Sequence, residues 1–342
     1  MPIRFERREK MARYLDPGAD FQETAIPCEM RLDPLTGRSG RVAHVGAAHL
    51  SPPDLEPLIE ASRQSCPFCP ERIFRVTPRF PADVIPEGRL QQGEAMIFPN
   101  LAPYDEHSAV AVMSQAHYVP IGAFSQALLH DAFGVCQQYV RRVQHLAHTT
   151  YALVFWNYFP ASGGTQIHPH LQVFATDTPG NALLEELAAS LRYYREAGRS
   201  YWADLLAEEE RLGERFVSRG TYSAWLTSFV SQSVLGDTLV LFPGQQTLRN
   251  LPEAALDEFC LGLGQALRHL ESQGVYSFNL ACFSGVTGRE DSWLHVRLSP
   301  RIYMTPRIWG GDTTALQHLY QEHFMLQTPE TAAEGLRQAI KL

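Results

Sequence analysis

Apolar positions recur along the chain with two periods. The stretches YALVFWNY (151–158) and YSFNLACF (276–283) are nearly unbroken apolar runs of strand length, the pattern of buried strands. AMIF (95–98) and AVAVM (109–113) predict two strands around a loop, and His168–Ala175, DTLVLFP (237–243) and SWLHVRLSP (292–300) predict further ones. Between them the period changes. From Ser125 to about His145 the apolar residues Ala127, Leu128, Phe133, Val135, Tyr139, Val140 and Val143 fall at helical spacing. Residues 181–212 have strong helical propensity and predict two helices broken near Gly198. A Pro-Glu start at Pro252 leads into another helix, ALDEFCLGLGQALRHL. Residues 1–65 show neither period and predict an irregular region, with a turn at Asp33-Pro34-Leu35-Thr36-Gly37.

The second half repeats the order of the first. At an offset of 125 residues, Tyr151 maps onto Tyr276, His170 onto His295, Gln172 onto Arg297 and His168 onto Trp293. This predicts an α+β fold of two tandem halves, each a mainly antiparallel sheet with packed helices. Residues 1–180 form the N-terminal half and 181–342 the C-terminal one. The repeat keeps the scaffold and loses most of the chemistry, so the second half reads as degenerate.

Composition narrows the function. The 342 residues are 45% hydrophobic and 19% charged, the profile of a globular protein with a substantial core. A net charge of −8 disfavours nucleic acid and anionic membrane as partners. No apolar run approaches the roughly 18–20 residues that span a bilayer. The start, MPIRFERREKMARYL, has no apolar segment of signal-peptide type, and a cytoplasmic location is expected. Cys28, Cys136, Cys260 and Cys282 are isolated and read as small buried hydrophobes.

Two stretches carry chemistry. CPFC (66–69) has the C-x₂-C spacing that brings two thiolates to one tetrahedral ion, although redox pairing is a competing use. As a metal site it lacks two ligands, for which His107, His117 and His168 are candidates. The second stretch is NYFPASGGTQIHPHLQVF (157–174). If its end is a strand, period two places His168, His170 and Gln172 on one face. The small residues Ser162, Gly163, Gly164 and Thr165 suit close approach of backbone to phosphate. A neutral imidazole is a competent nucleophile toward phosphorus, and an amide can donate to the charge that develops. Neither a Walker-type loop nor a G-x-G-x-x-G fingerprint is present, so phosphate chemistry here rests on histidine.

The pattern Asn157…Ser162-Gly163-Gly164-Thr165-Gln166-Ile167-His168-Pro169-His170-Leu171-Gln172 resembles the signature of the galactose-1-phosphate uridylyltransferase family, within the histidine-triad superfamily. RLDPLTG (31–37), CPFCPE (66–71), the segment 96–118 and TPETAAEGLRQAI (328–340) are similar to other parts of that family, so the resemblance covers most of the chain. It implies a structural zinc on Cys66, Cys69, His117 and His168. It implies His170 as the nucleophile that becomes a nucleotidyl-imidazole, with Gln172 holding the phosphoryl group. Asn100 and Asn157 would contact the nucleotide, and Ser162, Gly163, Gly164 and Thr165 its phosphates. The implied partners are a nucleotide sugar and a sugar 1-phosphate or phosphate, in carbohydrate and specifically galactose metabolism, with a homodimer as the assembly. Departures from the pattern bear on substrate. HVGAAHLSPPD (44–54) lacks the family's arginines, and RIWGGDTTALQ (307–317) differs where hexose is bound. Phe283 and Arg297 stand where histidines of a second metal site are expected beside Glu186 and His295, so no second metal is expected. Two alternatives accompany the transferase reading. One is a phosphorylase acting on an ADP-sugar or dinucleoside polyphosphate; the other is a non-catalytic nucleotide-binding protein.

Overall fold

The computed structural model describes residues 3–43, 52–305 and 310–342. The first half contributes strands β4 (Leu90–Gln92), β5 (Ala95–Pro99), β6 (His107–Val112), β7 (Tyr151–Tyr158) and β8 (His170–Thr176), with helix α3 (Gln126–Ala147) between β6 and β7. The second contributes β9 (Phe216–Arg219), β10 (Ala224–Thr227), β11 (Thr238–Leu241), β12 (Ser277–Ser284) and β13 (His295–Arg301), with α6 (Glu253–Ser272) between β11 and β12. All ten strands join one antiparallel sheet in the order β4-β5-β6-β8-β7-β12-β13-β11-β10-β9. The order reads the same outward from the β7–β12 seam in both directions. The α+β class and the repeated element order are therefore present, and the two repeats share one sheet and one continuous core.

Strands β7 and β12 bury alternate residues on one face. On β7, Ala152, Val154, Trp156 and Tyr158 are buried, and they pack with α3 and α6 residues such as Phe133, Tyr139, Phe259 and Leu263. Helix α3 starts where Ser125 caps it, its side chain accepting from Leu128 N. Gln137 ties α3 to the other half by donating to the carbonyls of Leu248 and Leu251, both at 2.8 Å. The opposite sheet face is treated differently in the two halves. In the second, helices α4 (Asn181–Ala197) and α5 (Tyr201–Leu212) cover it, with Tyr201, Trp202 and Leu205 packed on Ala224, Leu226 and Leu239. In the first, the CPFC loop and α2 (Pro70–Val76) lie there, through Phe68 and Ile73 against Met96, Phe98, Val110 and Val112.

Residues 1–65 correct the sequence reading. The described residues among them are not irregular: β1 (Glu6–Asp16) and β2 (Gln22–Leu32) form a long hairpin, followed by β3 (Ser39–Ala43) and α1 (Glu56–Arg63). Almost every residue of β1 is exposed on both faces, so no apolar alternation marks it. The turn at Asp33–Gly37 is present; Asp33 Oδ1 accepts from Leu35 N and Thr36 N, and Gly37 takes φ +76°. The helix break falls at Gly198, with φ +70°. Strand β8 begins at His170, two residues later than expected. No helix among the described residues is long and apolar enough to cross a membrane.

Candidate functional site

Cys66 and Cys69 sit at the start of α2, His117 follows β6, and His168 immediately precedes β8. All four are buried, and one ligand atom from each lies within 4.8 Å of the others. Cys69 Sγ is 3.4 Å from His117 Nδ1 and 3.8 Å from His168 Nδ1, and Cys66 Sγ is 3.6 Å from His168 Nδ1. A tetrahedral ion with bonds of about 2.0–2.3 Å separates its ligand atoms by similar amounts. The outer partners fix the tautomers. His168 Nε2–H donates to the Ser114 carbonyl at 2.7 Å, and His117 Nε2 meets Ser62 Oγ at 2.9 Å. Ser62 in turn donates to the Ile59 carbonyl, so each ring presents Nδ1 with its lone pair inward. Burial, then the neighbouring Cys66, pushes the Cys69 thiol up to about 12. Burial brings His168 down to about 4, which keeps its imidazole neutral and able to ligate. Two thiols and two oriented imidazoles are a donor set that fits a tetrahedral metal.

The Cys/His cluster is adjacent to the sheet face that carries His170. Phe68, between the two cysteines, contacts His168 and His170 with ring centroids at 6.0 Å and 5.3 Å. His170 Nδ1–H donates to the His168 carbonyl at 2.9 Å, which leaves the lone pair on Nε2. Burial lowers the His170 pKa, so the ring is neutral at neutral pH. Strand pairing then orders the face. Val112 pairs with His170, Val110 with Gln172 and Ser108 with Phe174 on one side. On the other side Phe155 pairs with Gln172, which sets Asn157 opposite His170. One strand further out, Asn100 N–H donates to the Ser108 carbonyl at 2.9 Å, in the row of Phe174. Its Oδ1 accepts from Ala102 N at 3.0 Å. Gln172 Oε1 is buried with no hydrogen-bond partner, an unmet polar atom beside the histidine.

The small-residue loop is tightly built. Phe159 takes φ +71° and ψ 162°, a strained conformation for a side-chain-bearing residue. Its carbonyl accepts from Ser162 N, Ser162 Oγ and Gly164 N at 3.1, 2.7 and 3.3 Å. Gly163 N bonds the Pro160 carbonyl at 2.9 Å. The donors of Ser162, Gly163 and Gly164 are thus spent on the loop itself, which gives it shape. A Cβ on Gly164 would lie 2.8 Å from the Asn157 carbonyl, so only glycine fits there.

In the second half, His295 copies the first feature and nothing else. His295 Nδ1 meets the Trp293 carbonyl at 3.1 Å, as His170 meets that of His168. Its ring lies between Phe283 and Trp202, at centroid distances of 4.7 Å and 4.4 Å. His295 Nε2 is 3.1 Å from Glu186 Oε2, an ion-pair distance without hydrogen-bond alignment. Arg297 donates to Glu186 Oε1 and Ser228 Oγ, both at 3.0 Å, and lies near Asp237. A permanent guanidinium charge thus lies beside Glu186.

Asn279, Ser62, Ser114 and Phe68 enter the site without a distinct sequence signal, because their partners are set by strand register and loop packing. Of the departures noted in the sequence, residues 44–51 and 306–309 lie outside the described residues. His107, the remaining ligand candidate, is on β6 beside Glu106 and away from the cluster.

No family model matches the chain. It is 27% identical over 361 residues to a galactose-1-phosphate uridylyltransferase of Streptomyces lividans, covering 98% of this chain and 94% of the relative. It is 27% identical over 337 residues to an uncharacterized protein of Archaeoglobus fulgidus, with 98% of each covered. Among solved structures, an ADP-glucose phosphorylase from Arabidopsis thaliana with bound ADP-glucose superposes with TM-score 0.69 at 16% identity, over 92% of this chain and 100% of that one. A uridylyltransferase superposes with TM-score 0.65 at 18% identity, over 91% and 98%.

Proposed function

We propose that this chain is a galactose-1-phosphate uridylyltransferase-like protein of the histidine-triad superfamily, a nucleotidyltransferase working through a covalent nucleotidyl-histidine at His170, a reading its relatives support. One observation carries the reading: a buried, neutral imidazole, its Nδ1–H anchored at 2.9 Å to the His168 carbonyl, stands beside the half-buried Gln172 and Asn157 on the sheet face that α4 and α5 leave uncovered. The anchor holds the ring while Nε2 attacks the α-phosphorus of a nucleotide sugar. The N–P bond forms, the bridging P–O bond breaks, and sugar 1-phosphate leaves. A second sugar 1-phosphate then attacks the same phosphorus and returns the free imidazole. Gln172 steadies the phosphoryl oxygens as charge develops. Asn100 and Asn157 contact the nucleotide, and the loop Ser162–Thr165 positions its phosphates. Cys66, Cys69, His117 and His168 hold a structural zinc, which keeps the chain before β8 in place. The second half, 181–342, is a degenerate copy that carries no reaction.

The sugar and the base follow from the acceptor experiment. The protein is given UDP-glucose or ADP-glucose, and then galactose 1-phosphate, inorganic phosphate or water as acceptor. Exchange with a sugar 1-phosphate and ping-pong kinetics support the transferase. Turnover with phosphate alone makes the protein a phosphorylase using the same intermediate. Tight nucleotide-sugar binding with no turnover of any pair would overturn the enzyme reading.

A further inference from the structure

Asn279, on β12, pairs with Asn157 across the seam between the halves. Its amide is fully committed. Nδ2 donates to Asn157 Oδ1 at 2.7 Å and to the Ser162 carbonyl at 3.0 Å. Oδ1 accepts from Arg301 Nη1 at 2.6 Å. Two of these partners are unambiguous, since a backbone carbonyl only accepts and a guanidinium only donates. The Asn279 amide therefore has one orientation, and the atom of Asn157 that meets it must be Oδ1. Arg301 is itself held. Its Nε reaches both Asp312 oxygens, at 2.9 Å and 3.0 Å, and Asp312 Oδ2 also accepts from Ile302 N at 3.0 Å.

This chain of bonds ends on the sheet face that carries His170. With Oδ1 taken, Asn157 has Nδ2 left, without a protein partner among the described residues and in the row of His170. We propose that Asn279, locked by Arg301 and Asp312, is a positioning residue that turns the Asn157 carboxamide so that its N–H₂ faces the bound nucleotide. Asn157 then offers only donors, and selects for an oxygen acceptor such as a phosphoryl or base carbonyl oxygen. The Asn279 bond to Ser162 holds the phosphate loop in register with that amide. The inference rests on the nucleotide reading, and it gives the second half a part in the first half's site.

The test compares Asn279→Asp with Asn279→Ala by calorimetric titration of UDP-glucose and ADP-glucose. A merely space-filling Asn279 makes the isosteric aspartate the milder change. The orienting role makes it the harsher one. A carboxylate still accepts from Arg301, but it draws Asn157 Nδ2 inward and turns Oδ1 toward the nucleotide's anionic oxygens. Expected losses of affinity are on the order of tenfold for N279A and a hundredfold for N279D. In an Asn157→Ala background N279D should add little to the loss. If wild-type protein binds neither nucleotide sugar, the nucleotide reading falls and this inference with it. If wild type binds and N279D is no weaker than N279A, the inference falls alone. Should N279D not fold, Arg301→Gln against Arg301→Met decides. Both lose the Asp312 ion pair, but only glutamine keeps an N–H for Asn279 Oδ1, so equal affinities would overturn the inference.

Discussion

His170 and His295 stand 125 positions apart, and each ring nitrogen Nδ1 meets the carbonyl two residues before it, at 2.9 Å and 3.1 Å. Their surroundings then diverge. His170 looks onto a face bordered by Asn157 and Gln172, with a buried unpaired oxygen beside it. His295 is sandwiched by Trp202 and Phe283, with its other nitrogen against Glu186. The same backbone device thus serves two ends. Where helices α4 and α5 cover the sheet, the histidine becomes part of a packed ionic core. Where they are absent, the ring is buried as well, but its Nε2 has no protein partner among the described residues. What meets Nε2, rather than the imidazole or its anchor, separates the two.

Breaking that comparison at its strongest point means removing each ring. His170→Ala should lower kcat on the order of 10⁴-fold or more, as loss of a covalent nucleophile does. His295→Ala should leave kcat within about threefold and be read instead in thermal unfolding. A comparable kinetic loss at His295 would erase the distinction. Metal removal comes next. A chelator, or Cys66→Ser, should lower the melting temperature by on the order of 10 °C or more, because metal binding is coupled to folding of the segment before His170. Metal analysis should find about one zinc per chain.

The second-half core offers a smaller effect. Arg297→Met leaves Glu186 buried beside a single partner and should cost about 3–5 kcal/mol in urea unfolding. The double variant with Glu186→Gln should recover part of it, since the Glu186 charge is then no longer stranded while Asp237 still lacks its guanidinium neighbour. Acid sharpens the same point. Burial opposes ionisation of Glu186, yet His295 and Arg297 hold it at about 2, below its usual 4.5. Glu330 behaves alike, held at about 2 against burial by Arg31 and Arg215. A carboxyl whose folded pKa is depressed stabilises above its unfolded pKa and loses that contribution as pH falls. Urea midpoints should therefore drop between about pH 4.5 and pH 2, and Glu330→Gln should flatten the drop. Smallest is Gly164→Ala. Its Cβ would press on the Asn157 carbonyl at 2.8 Å, and about 1–3 kcal/mol of stability should be lost with weaker nucleotide binding.

Much of this was legible in the sequence, for reasons that can be named. Strand β7 matches YALVFWNY because one face packs on helices and the other lines the site, leaving a long apolar run. The CPFC spacing raised a metal site with redox pairing still open, and the family resemblance joined His117 and His168 to it. His117, which completes the donor set, lacks any local pattern; chain folding after β6 brings it in. The β1–β2 hairpin went unread because both its faces meet solvent. Asn279 went unread because its role depends on which strands meet at the seam, and no periodicity encodes the pairing of β7 with β12. The offset of 125 residues signalled the repeat, but not that its helices α4 and α5 would bury the second histidine.

Trapping the intermediate tests the central claim most directly. Protein incubated with UDP-glucose or ADP-glucose, quenched in base and digested, should show a peptide carrying one added nucleoside monophosphate on His170, with none on the peptide of His295. Absence of the adduct under conditions of measured turnover, or its appearance on His295, would contradict the account.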